Sequence, residues 1–116
     1  MHGICHVEIP CRDFEKTGKF YSAVFGWKVE TAPGMDYAMF QTPEGVGGGF
    51  SKQAKITAEP GVFIYIEVED IKAALVKIEE NGGRKITGRT QISPEFGYFG
   101  VFEDVEGNAI GLWSRG

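Results

Sequence analysis

Cysteine is scarce in this chain, which carries only Cys5 and Cys11 among its 116 residues. Six residues of extended strand span about 20 Å, whereas a disulfide bond needs Cα atoms within about 7 Å of each other. We therefore expect both thiols to be reduced. Because Cys5 shares a predicted strand face with Val7 and Ile9, we expect it to be a small core residue.

Long apolar runs and basic clusters are missing as well. The longest apolar run, at 62–66, is far shorter than the roughly 20 residues that cross a bilayer. The net charge is −4 and Lys and Arg are not clustered, which argues against a nucleic-acid surface. Since the first residues do not resemble a secretory signal, we expect a cytoplasmic protein with no membrane or nucleic-acid partner.

Two common catalytic motifs are absent. No Gly-x-Ser-x-Gly elbow is present, so serine-based hydrolysis has no support. The glycine-rich run at 45–49 lacks the Gly-Lys-Ser/Thr ending of a phosphate loop and does not open a helix. We interpret this run as a turn followed by a strand whose bare backbone widens a cleft.

The sequence repeats itself at a constant offset. Asp70 follows Asp13, and Gly83 follows Gly26, by the same 57 positions, which is about half of the chain. We therefore predict an α+β protein, a single domain over residues 1–116. It is expected to consist of two tandem units at about 1–53 and 61–116, with a linker at 54–61.

Each copy has the pattern of a βαβββ unit. In the first copy we expect strands at 4–10, 27–31, 37–42 and 47–51, and a helix that Asp13 caps and Gly26 ends. In the second copy we expect strands at 62–68, 85–90, 97–103 and 109–114, and a helix that Asp70 caps. Each helix covers the apolar face of its strands, so the other faces are predicted to form a curved sheet cleft.

Two segments carry a family resemblance. FYSAVFGW at 20–27 and DVEGNAIGLW at 104–113, together with the paired βαβββ units, resemble the vicinal oxygen chelate superfamily. This group includes glyoxalase I, extradiol dioxygenases and bleomycin-resistance proteins, and the chain is similar to its small glyoxalase-like, lactoylglutathione lyase-related members. The resemblance implies homodimers, in which the cleft lies within one chain or is formed by exchange of units.

The resemblance also implies four positions that hold a divalent metal in the enzymes of the family. In this sequence these positions are His6, Gly49, Phe63 and Gly111. Of these four only His6 has a side chain that can bind a metal, and three or more protein ligands are usual. We therefore predict no cofactor and no tightly bound metal. The alternative is a divalent metal site with His6 and Glu8 as rebuilt ligands.

The remaining candidate residues suit acid–base chemistry or an organic ligand. His6 and Glu8 alternate on one strand face, and a carboxylate near a histidine can form a general acid–base pair. Their other interpretation is a mutual polar contact. Aromatic and apolar side chains beside bare glycine suit a planar ligand, or else a core or subunit interface. The predicted ligand-binding set is His6, Glu8, Met39, Gly49, Phe63, Tyr65, Tyr98, Phe102, Gly111 and Trp113.

Three functions follow from these patterns. The first hypothesis is a protein that binds a small organic molecule in the cleft without metal. The second is a metal-dependent lyase or dioxygenase of the glyoxalase I type that uses His6 and Glu8. The third is a non-catalytic protein-interaction module whose aromatic face is a protein interface.

Overall fold

The computed structural model describes residues 1–57 and 59–116, which form two compact units, Met1–Ile56 and Thr57–Gly116. Both units have the order β-α-β-β-β. The predicted α+β class with two tandem βαβββ units is therefore confirmed. Residue 58, which falls in the predicted linker, lies outside the described residues.

The first unit is a four-stranded mixed sheet with one helix. Its elements are β1 (Val7–Pro10), α1 (Phe14–Phe25), β2 (Lys28–Thr31), β3 (Tyr37–Gln41) and β4 (Gly48–Ser51). The strand order is β1-β4-β3-β2. The β1–β4 pair is parallel and the other two pairs are antiparallel.

The second unit repeats this topology. Its elements are β5 (Tyr65–Glu67), α2 (Ile71–Glu80), β6 (Arg84–Ser93), β7 (Gly97–Glu103) and β8 (Ala109–Ser114). The strand order is β5-β8-β7-β6, with β5–β8 parallel. Neither of the two helices of the described residues is long and apolar enough to cross a bilayer.

Both helices begin at the aspartates that the repeat aligns. Asp13 accepts a hydrogen bond from the backbone N–H of Lys16, and Asp70 accepts one from Ala73, each at 3.0 Å. Each aspartate thereby satisfies one of the free N–H groups of a helix N-terminus. Helix α1 ends at Gly26, whose φ of 72° lies in the left-handed region that glycine tolerates best.

An aromatic cluster forms the core of the first unit. Tyr21 on α1 stacks against Trp27, with ring centroids 4.7 Å apart, and lies 5.4 Å from Phe50 on β4. Phe40 on β3 completes the cluster from the same sheet face. Val24 and Phe25, at the end of α1, are half-buried.

Aliphatic packing forms the core of the second unit. Ile71 and Ile78 on α2 are fully buried, as are Phe102 on β7 and Leu112 on β8. Gly100 allows this helix to approach the sheet, since a Cβ atom there would lie 3.0 Å from Ile71 Cγ2. The helix therefore covers the sheet face to which Gly100 belongs.

The ends of the first strand of each unit differ from the prediction. The pairing of β1 begins at Val7 and that of β5 at Tyr65, so both strands are shorter than expected. Cys5 is exposed rather than buried in the core, because it precedes the first paired residue of β1. Val62 is 85% exposed for the same reason. Both cysteines are free, as predicted, and Cys11 is buried.

Strand β6 is longer than its predicted range of 85–90. It runs over Arg84–Ser93 and pairs with β7 through three register shifts. Each shift interrupts the alternation of inward and outward side chains. A count of alternating residues therefore cannot give its length or its buried face.

Candidate functional site

The candidate residues lie on the sheet face turned away from the helix of each unit, which we call the far face. Buried Ile9, Phe40 and Phe50 belong to the helix-covered face of the first sheet. Strand pairing then places Glu8, Gly49 and Met39 side by side on the far face.

Three polar side chains of the first unit form one hydrogen-bonded group, which we call the polar trio. His6 Nε2 lies 2.6 Å from Tyr37 Oη, and Tyr37 Oη donates to Glu8 Oε2 at 3.1 Å. His6 and Glu8 are exposed and Tyr37 is half-buried. The Tyr37 hydroxyl thus lies between the two residues that the sequence suggested as an acid–base pair.

The electrostatics of the trio keep the Tyr37 hydroxyl protonated. Burial raises the pKa of Tyr37 above its ordinary value of 10.0, and the hydrogen bond to Glu8 and the charge of Glu8 raise it further. An adjacent negative charge disfavours the phenolate. At neutral pH Tyr37 therefore contributes a neutral hydroxyl to this face.

The Tyr37 ring fills the space above Gly49. A Cβ atom at position 49 would collide with the ring and the hydroxyl of Tyr37. Ring and glycine lie on neighbouring strands, since Tyr37 pairs with Ser51 in the register of β3 and β4. The absence of a side chain at position 49 therefore makes room for this aromatic ring.

Met39 lies beside the polar trio. It pairs directly with Gly49 and is 45% exposed. A methionine side chain is flexible and polarisable, and it adapts to irregular apolar surfaces. The far face of the first unit thus combines the polar trio with an apolar neighbour.

The second unit repeats the arrangement of ring over glycine with different residues. Tyr65 pairs with Gly111 across β5 and β8, and Phe63 precedes β5. A Cβ atom at position 111 would collide with the Tyr65 ring and lie 2.8 Å from the Phe63 ring. The two aromatic rings, which we call the aromatic pair, have centroids 5.2 Å apart.

Trp113 shares the far face with the aromatic pair. It lies two residues after Gly111 on β8 and pairs with Glu67. Its Nε1–H donates to the backbone oxygen of Phe96 at 2.7 Å, and the Arg115 guanidinium lies 5.6 Å from its ring centroid. The indole is therefore fixed in orientation while remaining half-buried.

Two residues of the predicted ligand-binding set do not lie on the far face. Tyr98 pairs with Ser114, and Phe102 pairs with Ile110, so both belong to the face that α2 covers. Phe102 is fully buried in the core, and Tyr98 lies under the Arg89 guanidinium at 3.7 Å from its ring centroid. The turn between β7 and β8 sets which face each residue occupies, and alternation along a single strand does not show this.

Further residues of the far faces were not predicted from the sequence, and they include Tyr37, Phe99 and Val101. Tyr37 lies two positions before Met39 on β3, so alternation from Met39 alone places it on the far face. On β7 the far-face residues include Phe99 and Val101, which pair with Trp113 and Gly111. If Tyr98 and Phe102 are assigned to the core, the same alternation places Phe99 and Val101 on the far face.

The residues at the four expected positions do not fit a divalent metal. Gly49 and Gly111 provide no donor, and aromatic rings fill the space where side chains would begin. Phe63 provides no donor either, and Tyr37 is hydrogen-bonded to both His6 and Glu8. Among the described residues, no group of three or more His, Cys, Asp or Glu side chains is arranged to hold a metal ion.

Comparison with protein families gives one extensive match. The model of the Glyoxalase/Bleomycin resistance protein/Dioxygenase superfamily matches residues 3–112. A glyoxylase-like domain-containing protein from Didymella fabae is 32% identical over 123 aligned positions. That alignment covers 99% of this chain and 96% of the fungal protein.

Solved structures share the fold at low sequence identity. A fosfomycin resistance protein from Listeria monocytogenes, in complex with Mn(II) and 1S,2S-dihydroxypropylphosphonic acid, matches with a TM-score of 0.81 and 14% identity. The match covers 100% of this chain and 92% of that one. An antibiotic binding protein from a Streptomyces species matches with a TM-score of 0.76 and 20% identity, covering 100% and 98% of the two chains.

Proposed function

This chain belongs to the Glyoxalase/Bleomycin resistance protein/Dioxygenase superfamily, and we propose that it binds a small organic molecule on its far faces without a tightly bound metal. In this respect it would resemble the Streptomyces relative, which is described as an antibiotic binding protein. It would differ from the Listeria relative, whose structure contains Mn(II).

The main support for this proposal is that an aromatic ring lies over a glycine in each unit. Tyr37 lies over Gly49, and Tyr65 with Phe63 lies over Gly111. In each unit the position of an expected metal ligand is thus bare and its space is filled by an aromatic group. Because an aromatic ring replaces an expected metal ligand in both sheets, this arrangement supports binding of an organic molecule rather than of a metal.

The chemistry of the far faces suits an organic ligand. The aromatic pair and Trp113 offer flat apolar surface, and Tyr65 is 56% exposed. Aromatic surface of this kind favours stacking with a planar group. On the far face of the first unit, the polar trio provides hydrogen-bonding groups beside the apolar side chain of Met39, a combination common in ligand sites.

A ligand screen in metal-free buffer tests the proposal. Purified protein is stripped with a chelator and titrated with a broad panel of planar and apolar organic compounds, while tryptophan fluorescence and the melting temperature are recorded. We expect at least one compound to give saturable quenching. A response that appears only after addition of a divalent metal, or no response to the panel, would contradict the proposal.

The two tryptophans provide an internal control. Trp27 is 6% exposed and stacked between Tyr21 and Phe40, so its emission reports the core of the first unit. Trp113 is half-buried on the far face. Trp113→Phe is therefore expected to remove the ligand-dependent quenching, whereas Trp27→Phe retains it.

Proton transfer by the polar trio is a second candidate function. The continuous hydrogen-bonded series from His6 through Tyr37 to Glu8 favours it. In this function His6 and Glu8 would act as the acid–base pair on a bound ligand, with Tyr37 between them. The test uses a ligand that the screen identifies. Wild-type protein should convert this ligand chemically, whereas His6→Ala should bind it with similar affinity but not convert it.

We also propose that the protein forms homodimers, as its family resemblance implies. Strand β6 lies at the edge of its sheet. Ile92 near its end and Phe96 in the turn that follows are 48% and 60% exposed. Exposed apolar residues at a sheet edge favour association. Light scattering should give twice the chain mass of 12.7 kDa. A mass of one chain at all concentrations would contradict this proposal.

A further inference from the structure

The available hydrogen atoms determine which group donates each hydrogen bond in the polar trio. Tyr37 has one hydroxyl hydrogen, and an ionised carboxylate can only accept hydrogen bonds. The Tyr37 hydrogen therefore points to Glu8 Oε2. The contact of 2.6 Å between His6 and Tyr37 is then donated by His6 Nε2–H to the Tyr37 oxygen.

This direction leaves only acceptors for a ligand. With Nε2 protonated, the Nδ1 atom of neutral His6 is an acceptor. Tyr37 Oη keeps one lone pair, and Glu8 Oε1 is available as a carboxylate oxygen. A ligand that reaches the trio must therefore contribute N–H or O–H donors.

The charge of the trio favours a positively charged donor. The first unit contains ion pairs of Lys19 with Glu15, Lys28 with Glu30, and Lys52 with Asp36. Glu8 takes part in none of these three pairs, and its contact within the trio is with the neutral hydroxyl of Tyr37. Hydrogen bonds between charged partners are stronger than those between neutral ones.

The surroundings of Glu8 accommodate an apolar body attached to such a donor. Gly49 on β4 pairs with Met39 on one side and with Glu8 on the other. The Tyr37 ring occupies the space above Gly49. A ligand with an ammonium group at Glu8 can thus place its apolar part against the Tyr37 ring and Met39.

We propose that the polar trio is the binding site for an organic amine, in which a protonated nitrogen contacts Glu8 and an apolar or aromatic body contacts Met39. Tyr37 is the positioning residue, since its hydroxyl holds His6 and Glu8 in one arrangement. This proposal rests on the proposed function and specifies its ligand class.

Three matched probes test the ligand class. They are 2-naphthylmethylammonium, 2-naphthylmethanol and 2-naphthoate, which share one aromatic body and differ in charge. Titration calorimetry in chelator-treated buffer measures their affinities for the full chain. We expect the ammonium compound to bind about tenfold more tightly than the alcohol, since a charge-assisted hydrogen bond has about this effect, and the carboxylate to bind most weakly.

Two carboxylate variants assign the preference to a residue. Glu8→Gln should abolish the tenfold preference for the ammonium compound over the alcohol. Glu44→Gln changes the net charge by the same amount at another exposed position, and it should retain the preference. Nitrogen NMR of the His6 ring should show a proton on Nε2 in wild-type protein, and this readout does not depend on the ligand.

The outcomes separate this inference from the proposed function. Equal affinity for all three probes, a preference for the carboxylate, or an unchanged preference in Glu8→Gln would overturn the inference while ligand binding stands. Failure of all three probes to bind at millimolar concentration would overturn it as well. The proposed function is judged separately by the broader panel.

Discussion

The ring of Tyr37 lies where a side chain at Gly49 would begin. This relationship joins a residue on β3 to its neighbouring strand β4, and it also places the Tyr37 hydroxyl within reach of His6 and Glu8. A single aromatic residue thus fills the space of one missing ligand and contacts both polar residues next to it. The metal-free function proposed for this chain depends chiefly on this contact.

Alanine substitution of two adjacent glycines should have different effects, because one methyl group would meet a side chain that can move and the other would meet the backbone. At Gly49 a methyl group meets the far end of the Tyr37 side chain, whereas at Gly48 it meets the carbonyl oxygen of Val7 in the β1–β4 pair. Gly49→Ala should displace the ring and cost about 2 kcal/mol, because the Tyr37 hydroxyl would lose its hydrogen bonds to His6 and Glu8. Gly48→Ala should cost about 3 kcal/mol because the backbone cannot yield.

Chemical unfolding of both variants measures these costs. In a Tyr37→Ala background the additional cost of Gly49→Ala should disappear, because the ring is no longer there. An equal cost of Gly49→Ala with and without Tyr37 would show that ring and glycine are not coupled.

The stability of the first unit should depend on pH through Tyr37. Burial and Glu8 raise the pKa of Tyr37 above 10.0, so the folded state binds the phenol proton more tightly than the unfolded chain does. This contribution is complete below the ordinary pKa and is lost as pH rises through the folded-state pKa. Wild-type protein should therefore lose unfolding free energy more steeply above about pH 10 than Tyr37→Phe.

Urea unfolding at several alkaline pH values checks this difference. Glu8→Gln removes the charge and should bring the wild-type behaviour closer to that of Tyr37→Phe. Parallel decline of the wild-type and Tyr37→Phe proteins would show that Tyr37 ionises in the same way in both states.

Tyr65 should contribute to ligand binding more than to stability. It is 56% exposed, so Tyr65→Ala should lower the unfolding free energy by less than about 1 kcal/mol. Loss of stacking should weaken binding of a planar compound from the screen about fivefold to tenfold. Val62→Ala, at another exposed apolar residue of this unit, serves as the control and should leave the affinity unchanged.

The regular elements of the fold were predictable because local signals agree there. Asp13 and Asp70 cap helices, and Gly26 ends one, as the sequence indicates. The strands at 97–103 and 109–114 also match the predicted ranges. In each case a capping residue, a turn glycine or a clear alternation marks the element.

The far-face residues were predicted less well because they depend on pairing between strands. Tyr98 and Phe102 were expected to join the ligand-binding set, yet the β7–β8 register places them on the helix-covered face. Tyr37 was missed although Met39, two residues later, was chosen. The bare positions Gly49 and Gly111 were evident from the sequence, but the rings that fill them became visible only with the register.

The most direct test of the metal-free function is elemental analysis of the purified, untagged protein, followed by titration with Ni, Zn, Mn and Fe(II). We expect less than stoichiometric metal and no binding at micromolar concentration, because only His6 of the four expected positions has a donor side chain. His6→Ala should behave like wild-type protein. One metal ion per chain that is lost in His6→Ala would contradict this account.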